Sequence, residues 1–309
     1  MTYRFRSIEV PDHNPFANDC LSRSFAVTFI ADLIGRAHDS GPFVIAIDAP
    51  YGSGKSTFVE MLRGVLRQRD YFSVQFNAWD VDYATDPLVA IIAALDSEIK
   101  ASDFAPSGLK TALKSVKNVA TAISKRSILA GIKIATFGAL ELDKEVEKIA
   151  ADLAAESSSD LIAEFHNQEN LKSKFRSSMV NIVQNIRKGG KKGALIFFID
   201  ELDRCRPDFA MSLLEKIKHL FDVPDVVFVL SIDKRQLTSA TAAVYGQGID
   251  AEEYLRKFID IDFGLPRAKT KPFVEMAIVR CGLSEIFASR TPADFQPLQE
   301  QAQFVNFFL

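Results

Sequence analysis

Two rhythms alternate along this chain. Short runs of β-branched and aromatic residues bounded by turn formers read as strands buried on both faces, and longer stretches with apolar residues every three or four positions read as amphipathic helices. Residues 21–36 show the helical spacing and precede a first strand, where Val44, Ile45, Ala46 and Ile47 run without a break into Asp48. Helical spacing resumes at Thr57 with Phe58, Val59, Met61 and Leu62, and a second strand is read over 71–78. Asp86 suits a helix N-cap and Pro87 a first helical turn, and Leu88, Ile91, Ile92, Leu95 and Ile99 form the stripe behind them. A further helix is expected over 171–187, stopped by Gly189 and Gly190. The near-continuous apolar run 194–199 predicts a central strand ending at Asp200. Pro207 opens a helix reaching Phe221, 226–230 is another buried strand, and Asp250 with Glu253 resembles a capping pair before a short helix that feeds 258–263. The alternation predicts a doubly wound, mostly parallel α/β sheet with right-handed crossovers, its loop chemistry at the carboxyl ends of the strands.

The alternation is interrupted between about residues 104 and 170. From Phe104 to Leu140 there is no acidic residue, whereas Lys110, Lys114, Lys117, Lys125, Arg126 and Lys133 accompany an apolar stripe of Leu109, Leu113, Val116, Ala120 and Ile123. Residues 141–169 reverse the balance, with Glu141, Asp143, Glu145, Glu147, Asp152, Glu156, Asp160, Glu164 and Glu169 against Lys144 and Lys148. This reads as a helical insertion, either a charge-complementary hairpin or a basic helix (104–140) that makes a peripheral contact with a membrane surface or docks a protein partner. The chain then divides into residues 1–103 as the first half of the core, 104–170 as the insertion and 171–309 as the second half.

Composition narrows the classes. At 309 residues, 48% hydrophobic and 25% charged, the chain can bury a large core and is not disordered. A net charge of −3 gives no overall attraction to nucleic acid, and the basic stretch lacks interleaved aromatics, so nucleic acid is not indicated. Cys20, Cys205 and Cys281 are too scattered for a disulfide framework or a zinc site, and the four histidines show no metal or triad spacing, which suits a reducing, cytoplasmic setting. No uninterrupted apolar run approaches the ~18 residues that would span a bilayer, and no signal core follows Met1. The expected location is cytoplasmic, with a peripheral place at the inner face of the membrane as the variant that the basic helix allows.

Chemistry concentrates where the first strand breaks into Ala49-Pro50-Tyr51-Gly52-Ser53-Gly54-Lys55-Ser56-Thr57. This follows the phosphate-loop pattern GxxxxGK[ST], with Ala49 in the first glycine position. Gly52 and Gly54 let the backbone of Tyr51, Ser53 and Thr57 approach an anion, Lys55 supplies a cation for the outer phosphates, and Ser56 a hydroxyl for Mg²⁺. Asp200, at the end of its strand, can hold Mg²⁺ opposite Ser56, and Glu201 is placed to deprotonate a water attacking a γ-phosphate. Asp203 is a second candidate for either task. Ser231 and Asp233 end the next strand, where Asp233 is either a γ-phosphate contact or a plain helix cap. Arg204, Arg206 and Arg256 are candidate transition-state cations or surface ion-pair members, and Tyr51 and Trp79 either flank a nucleotide or pack. A water base at Glu201 favours hydrolysis over a small-molecule kinase.

These residues resemble the KAP family of P-loop NTPases. The resemblance rests on the loop from Ala49 to Thr57, on Phe76-Asn77-Ala78-Trp79, on Phe198-Ile199-Asp200-Glu201-Leu202-Asp203-Arg204-Cys205-Arg206-Pro207, and on Tyr254-Leu255-Arg256-Lys257-Phe258 running into Leu265-Pro266. Asn18-Asp19-Cys20-Leu21-Ser22-Arg23 looks like the family's N-terminal box, which in related NTPases lies near the adenine. The resemblance implies a sheet of the additional-strand class with one strand between the loop strand and the Asp200 strand, ATP as nucleotide, Asp200 on Mg²⁺ and Glu201 on water. The reading expected from these residues is an ATP hydrolase whose cycle drives a conformational switch, with a protein partner or a homo-oligomer, and for bacterial members the resemblance implies a link to phage or plasmid exclusion. Ala49 and Tyr51 stand where many members show Gly and Trp. Many members carry paired transmembrane helices in the insertion, for which 127–140 is too short and too charged. Members also continue into a helical C-terminal region, so the apolar ending from Phe304 to Leu309 is expected to be a truncation or a partner surface.

Overall fold

The computed structural model of the chain describes residues 8–36, 42–136 except 103, 105 and 107, 161–266 except 247, and 278. Five strands, β1 (Phe43–Asp48), β2 (Phe72–Asn77), β3 (Leu195–Asp200), β4 (Val226–Ile232) and β5 (Ile261–Gly264), form one sheet in the order β2-β3-β4-β1-β5. Every described pair is parallel. Parallel pairing needs apolar cover on both faces, and the side chains alternate accordingly. Val44, Ala46, Leu195, Phe197, Phe228 and Leu230 point into one core. Ile45, Ile47, Ile196, Phe198, Val227 and Val229 point into the other. The predicted doubly wound sheet is therefore present, with β4 between the loop strand and the Asp200 strand. In register, Asp48 pairs with Ile232, Asp200 with Ser231, and Asn77 with Asp200, which brings the carboxyl ends of four strands to one level.

Helices α1 (Ser24–Arg36) and α2 (Lys55–Gln68) cover one face through Val27, Ile30 and Ile34 and through Phe58, Met61 and Leu62. The other face is covered by α3 (Pro87–Ala101), α4 (Leu109–Thr136), α5 (Leu161–Lys188), α6 (Pro207–Leu220) and α7 (Lys234–Tyr245), while α8 (Ala251–Leu255) leads into β5. The predicted caps form. Asp86 accepts from the Leu88 N–H at 2.8 Å, Asp233 from Arg235 at 3.1 Å, and Asp250 from Glu253 at 2.9 Å.

After α3, Leu109, Leu113, Val116 and Ala120 of α4 are buried, α4 packs on α3 and α5, and the Ser115 and Ser178 hydroxyls meet at 2.9 Å. Helix α5 passes through residue 170 without a break, and its Phe175 sits edge-on to Phe221, ring centroids 5.2 Å apart, which in turn contacts Phe197 of β3 and Phe228 of β4. The apolar stripe of α4 thus faces the protein, and its exposed side presents Lys110 and Lys114. The acidic stretch 141–160, residues 127–140 beyond Thr136, and the ending 304–309 lie outside the described residues. No helix among the described residues is long and apolar enough to cross a membrane.

Candidate functional site

The loop between β1 and α2 is pinned at its start, where the N–H of the buried Ala49 donates to the Ile232 carbonyl at 3.1 Å. An alanine fits there because the position packs against the core on the α1–α2 face. Farther along, glycine is required. Gly52 and Gly54 have φ of 78° and 83°, the left-handed region that a Cβ disfavours. Gly54 caps α2 with no side-chain acceptor, which leaves the first amides of that helix open toward the cavity, as an anion needs. Lys55 folds back, its Nζ donating to the Ala49 carbonyl at 2.5 Å and the Pro50 carbonyl at 3.3 Å.

Opposite the loop, at the end of β3, Asp200 Oδ2 accepts from Ser56 Oγ at 3.3 Å, and Asp200 Oδ1 accepts from the Glu201 N–H at 3.0 Å. Glu201 itself adopts φ 60°, a left-handed conformation in a non-glycine residue. This turn starts the one-turn 3₁₀ segment Leu202–Arg204. Both Glu201 oxygens are engaged, Oε1 by Arg204 Nη1 at 2.7 Å and Oε2 by Asn77 Nδ2 at 3.3 Å. The Arg204 guanidinium lies over the Tyr51 ring at 4.6 Å and over the Trp79 ring at 5.4 Å. Tyr51 is 82% exposed and Trp79 50%, so of the two predicted alternatives for these aromatics the packed core position is not the one adopted.

Asp203 is held by its own N–H and that of Asp233; burial raises its carboxyl above the ordinary range, against the nearby Lys55 ammonium. The Cys205 thiol is pushed up to about 12, first by burial and then by Asp82, Asp203 and Glu201, so it is an inert packing thiol.

Tyr51, Gly52, Ser53, Gly54, Lys55, Ser56 and Thr57 line one open cavity of about 230 Å³ together with Asp200, Glu201, Asp203 and Arg204. Two larger grooves lie elsewhere, one of about 450 Å³ between α3 and α4 with Lys100, Lys110, Lys114 and Lys117 on its walls, the other of about 660 Å³ beside β2. Neither gathers the acids and the phosphate loop. Asp233 is not on the cavity wall: its carboxylate caps α7, while its backbone reaches Asp203. Arg206 donates to the Asp82 carbonyl at 2.6 Å and Arg256 pairs with Glu252, the surface roles that sequence allowed. Ser231, paired with Asp200 across the sheet, is 1% exposed and its hydroxyl has no partner among the described residues. Asn77 has a role that sequence reasoning did not give it. The available signal was its place as the last residue of β2, in register with Asp200.

A parallel sheet in which a glycine-turned loop joins β1 to α2, with the acid on the second strand over, defines a P-loop NTPase of the additional-strand class. The KAP family P-loop domain matches residues 24–277, and the chain belongs to that family. Among solved structures, the Aeropyrum pernix ORC2 protein in its ADPNP–ADP complexes is similar at 15% identity and a TM-score of 0.41, over 85% of this chain and 52% of that one. The chain thus spans about half the length of that protein. No curated protein matches.

Proposed function

We propose that this chain binds ATP with Mg²⁺ and hydrolyses it, the cycle of binding and hydrolysis acting as a conformational switch. The observation that carries the reading is the 3.3 Å contact between Ser56 Oγ and Asp200 Oδ2, with Glu201 next in the chain and in the same cavity. Two neighbouring oxygen ligands of an octahedral ion that binds at 2.0–2.1 Å are roughly 3 Å apart, so this pair fits Mg²⁺ completed by water and phosphate oxygens. Ser56 and Asp200 would hold the ion, which would supply positive charge against the phosphates. The loop amides and Lys55 hold those phosphates, Glu201 takes a proton from the attacking water, and Arg204 offsets charge in the transition state. Asp203, in the same cavity, is the second candidate for the base or for the metal ligand.

Glu201→Gln tests the reading. The variant should still bind ATP, while phosphate release falls by about 10²–10⁴-fold, the usual contribution of a general base. Turnover equal to the wild type would remove Glu201 from the reaction. Lys55→Ala should lose ATP binding itself. The resemblance extends the reading to exclusion of phage or plasmids, which plaque counts with Glu201→Gln in place of the wild type would test.

A second reading is favoured by the lysine-walled groove: a nucleotide-gated scaffold with little turnover that docks a membrane or protein partner through 104–140. Lys100 and Lys117 are tied to Asp96 at 2.7 and 2.9 Å, so Lys110 and Lys114 would carry most of the contact. Sedimentation with anionic vesicles, lost when Lys110, Lys114 and Lys117 are replaced while phosphate release stays intact, is the outcome this reading requires.

A further inference from the structure

Arg23 lies 31 residues before Gly54 in sequence, at the entrance to α1, and its side chain is driven into the back of the phosphate loop. It is 4% exposed, and its two terminal nitrogens donate to consecutive loop carbonyls, Nη1 to Gly54 at 3.0 Å and Nη2 to Ser53 at 2.6 Å. Its Nε is buried with no partner among the described residues, so the loop carbonyls are the acceptors that fix this guanidinium. The base of the side chain is fixed as well. Asp19 Oδ2 accepts from the N–H groups of Arg23 at 2.7 Å and Ser24 at 2.9 Å, Asp19 Oδ1 from Leu21 at 3.3 Å, and Ser22 turns the chain at φ 55°.

The consequence follows from the planarity of the peptide. In a trans peptide unit the C=O and the N–H of the next residue point in opposite directions. Drawing the Ser53 carbonyl to the outside of the loop turns the Gly54 N–H inward, toward the cavity, and at the next peptide the fork reinforces an orientation that α2 also sets, since the Gly54 carbonyl accepts from the Phe58 N–H at 3.1 Å as well. An arginine suits this because its planar fork offers two donors at fixed spacing and stays charged when buried. Burial lowers its pKa and Asp19 opposes the shift. A charge-assisted bond at each carbonyl also polarises the peptide and strengthens its N–H as a donor.

We infer that Arg23 is a positioning residue of the phosphate site: it sets the Gly54 amide and braces that of Lys55, and makes the grip on phosphate depend on the seating of residues 19–24. The inference rests on the reading that this loop holds the phosphates of a nucleotide.

The test compares Arg23→Met and Arg23→Gln with the wild type by calorimetric titration of ATP, ADP and adenosine, with circular dichroism to establish folding. Both variants should lose at least ten-fold in affinity for ATP and ADP and keep their affinity for adenosine, which has no phosphate to grip. Backbone ¹⁵N order parameters at Gly54 and Lys55 in the nucleotide-free protein should fall, with those of Ala46 and Ile47 unchanged. A folded variant that binds ATP and ADP within two-fold of the wild type overturns the inference, as does an equal loss for adenosine, which marks Arg23 as a general folding residue. Failure of the wild type to bind ATP removes the nucleotide reading instead, and the order parameters then still report whether Arg23 holds the loop.

Discussion

Arg204 Nη1 lies 2.7 Å from Glu201 Oε1, and the same guanidinium lies over Tyr51 of the phosphate loop, so the acid that follows β3 is tied to the loop through one arginine. On the proposed reading, this cation on the cavity wall is the one that offsets charge on the γ-phosphate. Arg204→Ala is therefore expected to lower kcat by about 10²-fold or more, the effect of removing one transition-state donor. The KM for ATP should move little. Steady-state phosphate release measures both. Faster turnover in the variant would mean that the pair restrains Glu201, and would end the assignment of Arg204 as a transition-state cation.

Asp203 gives a pH signature. Its carboxyl is raised above the ordinary value by burial, so between the unfolded and folded values the native state holds more protons than the unfolded one. Stability contributed by this group is then lost as pH rises through that window, and the penalty is complete above it. Asp203→Asn removes the titrating charge. Its melting temperature relative to the wild type should rise as pH increases from about 4, the ordinary Asp range, and level off once the folded carboxyl is ionised. A melting difference that does not change with pH would exclude a buried, titrating Asp203.

The strands and the phosphate loop were legible because their signals are local. An apolar run ending in Asp200, or two glycines before Lys55, declares its conformation within a few residues, and so did the capping acids Asp86 and Asp250, whereas Asp233 read equally as a cap and as a phosphate contact. The start of α5 was not legible: residues 161–170 are largely polar with no clear stripe, and the helix reaches back to Leu161 beyond the expected 171. Glu201 and Arg204 were legible as residues, but Asn77 and the meeting of the three were not, because that meeting depends on the register of β2 against β3 and on the left-handed turn at Glu201. Arg23 was the least legible. Its contacts span 30 and 31 residues, and no periodicity or motif spacing relates a helix entrance to a loop carbonyl.

The two loop glycines should respond differently to alanine. Both have positive φ, and a left-handed alanine costs roughly 1–2 kcal/mol. A Cβ at Gly52 meets nothing within 4 Å, whereas one at Gly54 comes within 3.2 Å of Arg23 Nη1 and 3.9 Å of Leu21 Cδ1. Gly52→Ala should therefore weaken ATP binding by about ten-fold through backbone strain alone. Gly54→Ala should weaken it further, because it also displaces the fork that orients the amides. Titration of both variants decides the order, and equal losses would show that Arg23 yields to the new methyl without consequence.

Phe175 is the aromatic link from α5 to the sheet. It is fully buried and meets Phe221 edge-on at an interplanar angle of 83°, and Phe221 meets Phe228 of β4 in the same way at 5.2 Å. Removing the ring leaves a cavity between a helix and the strands beneath it, which relaxes only in part. Phe175→Ala should lower unfolding free energy by about 3–5 kcal/mol, and Phe175→Leu, which retains most of the volume, by less than half of that. Urea midpoints measure both, provided that the slope of the transition is unchanged. Phosphate release by the folded fraction should stay at the wild-type rate, because the Ser56, Asp200 and Glu201 contacts do not involve this cluster. A loss below about 1 kcal/mol for the alanine variant would mean that this site collapses around the missing ring and that α5 is held to the sheet by its other contacts.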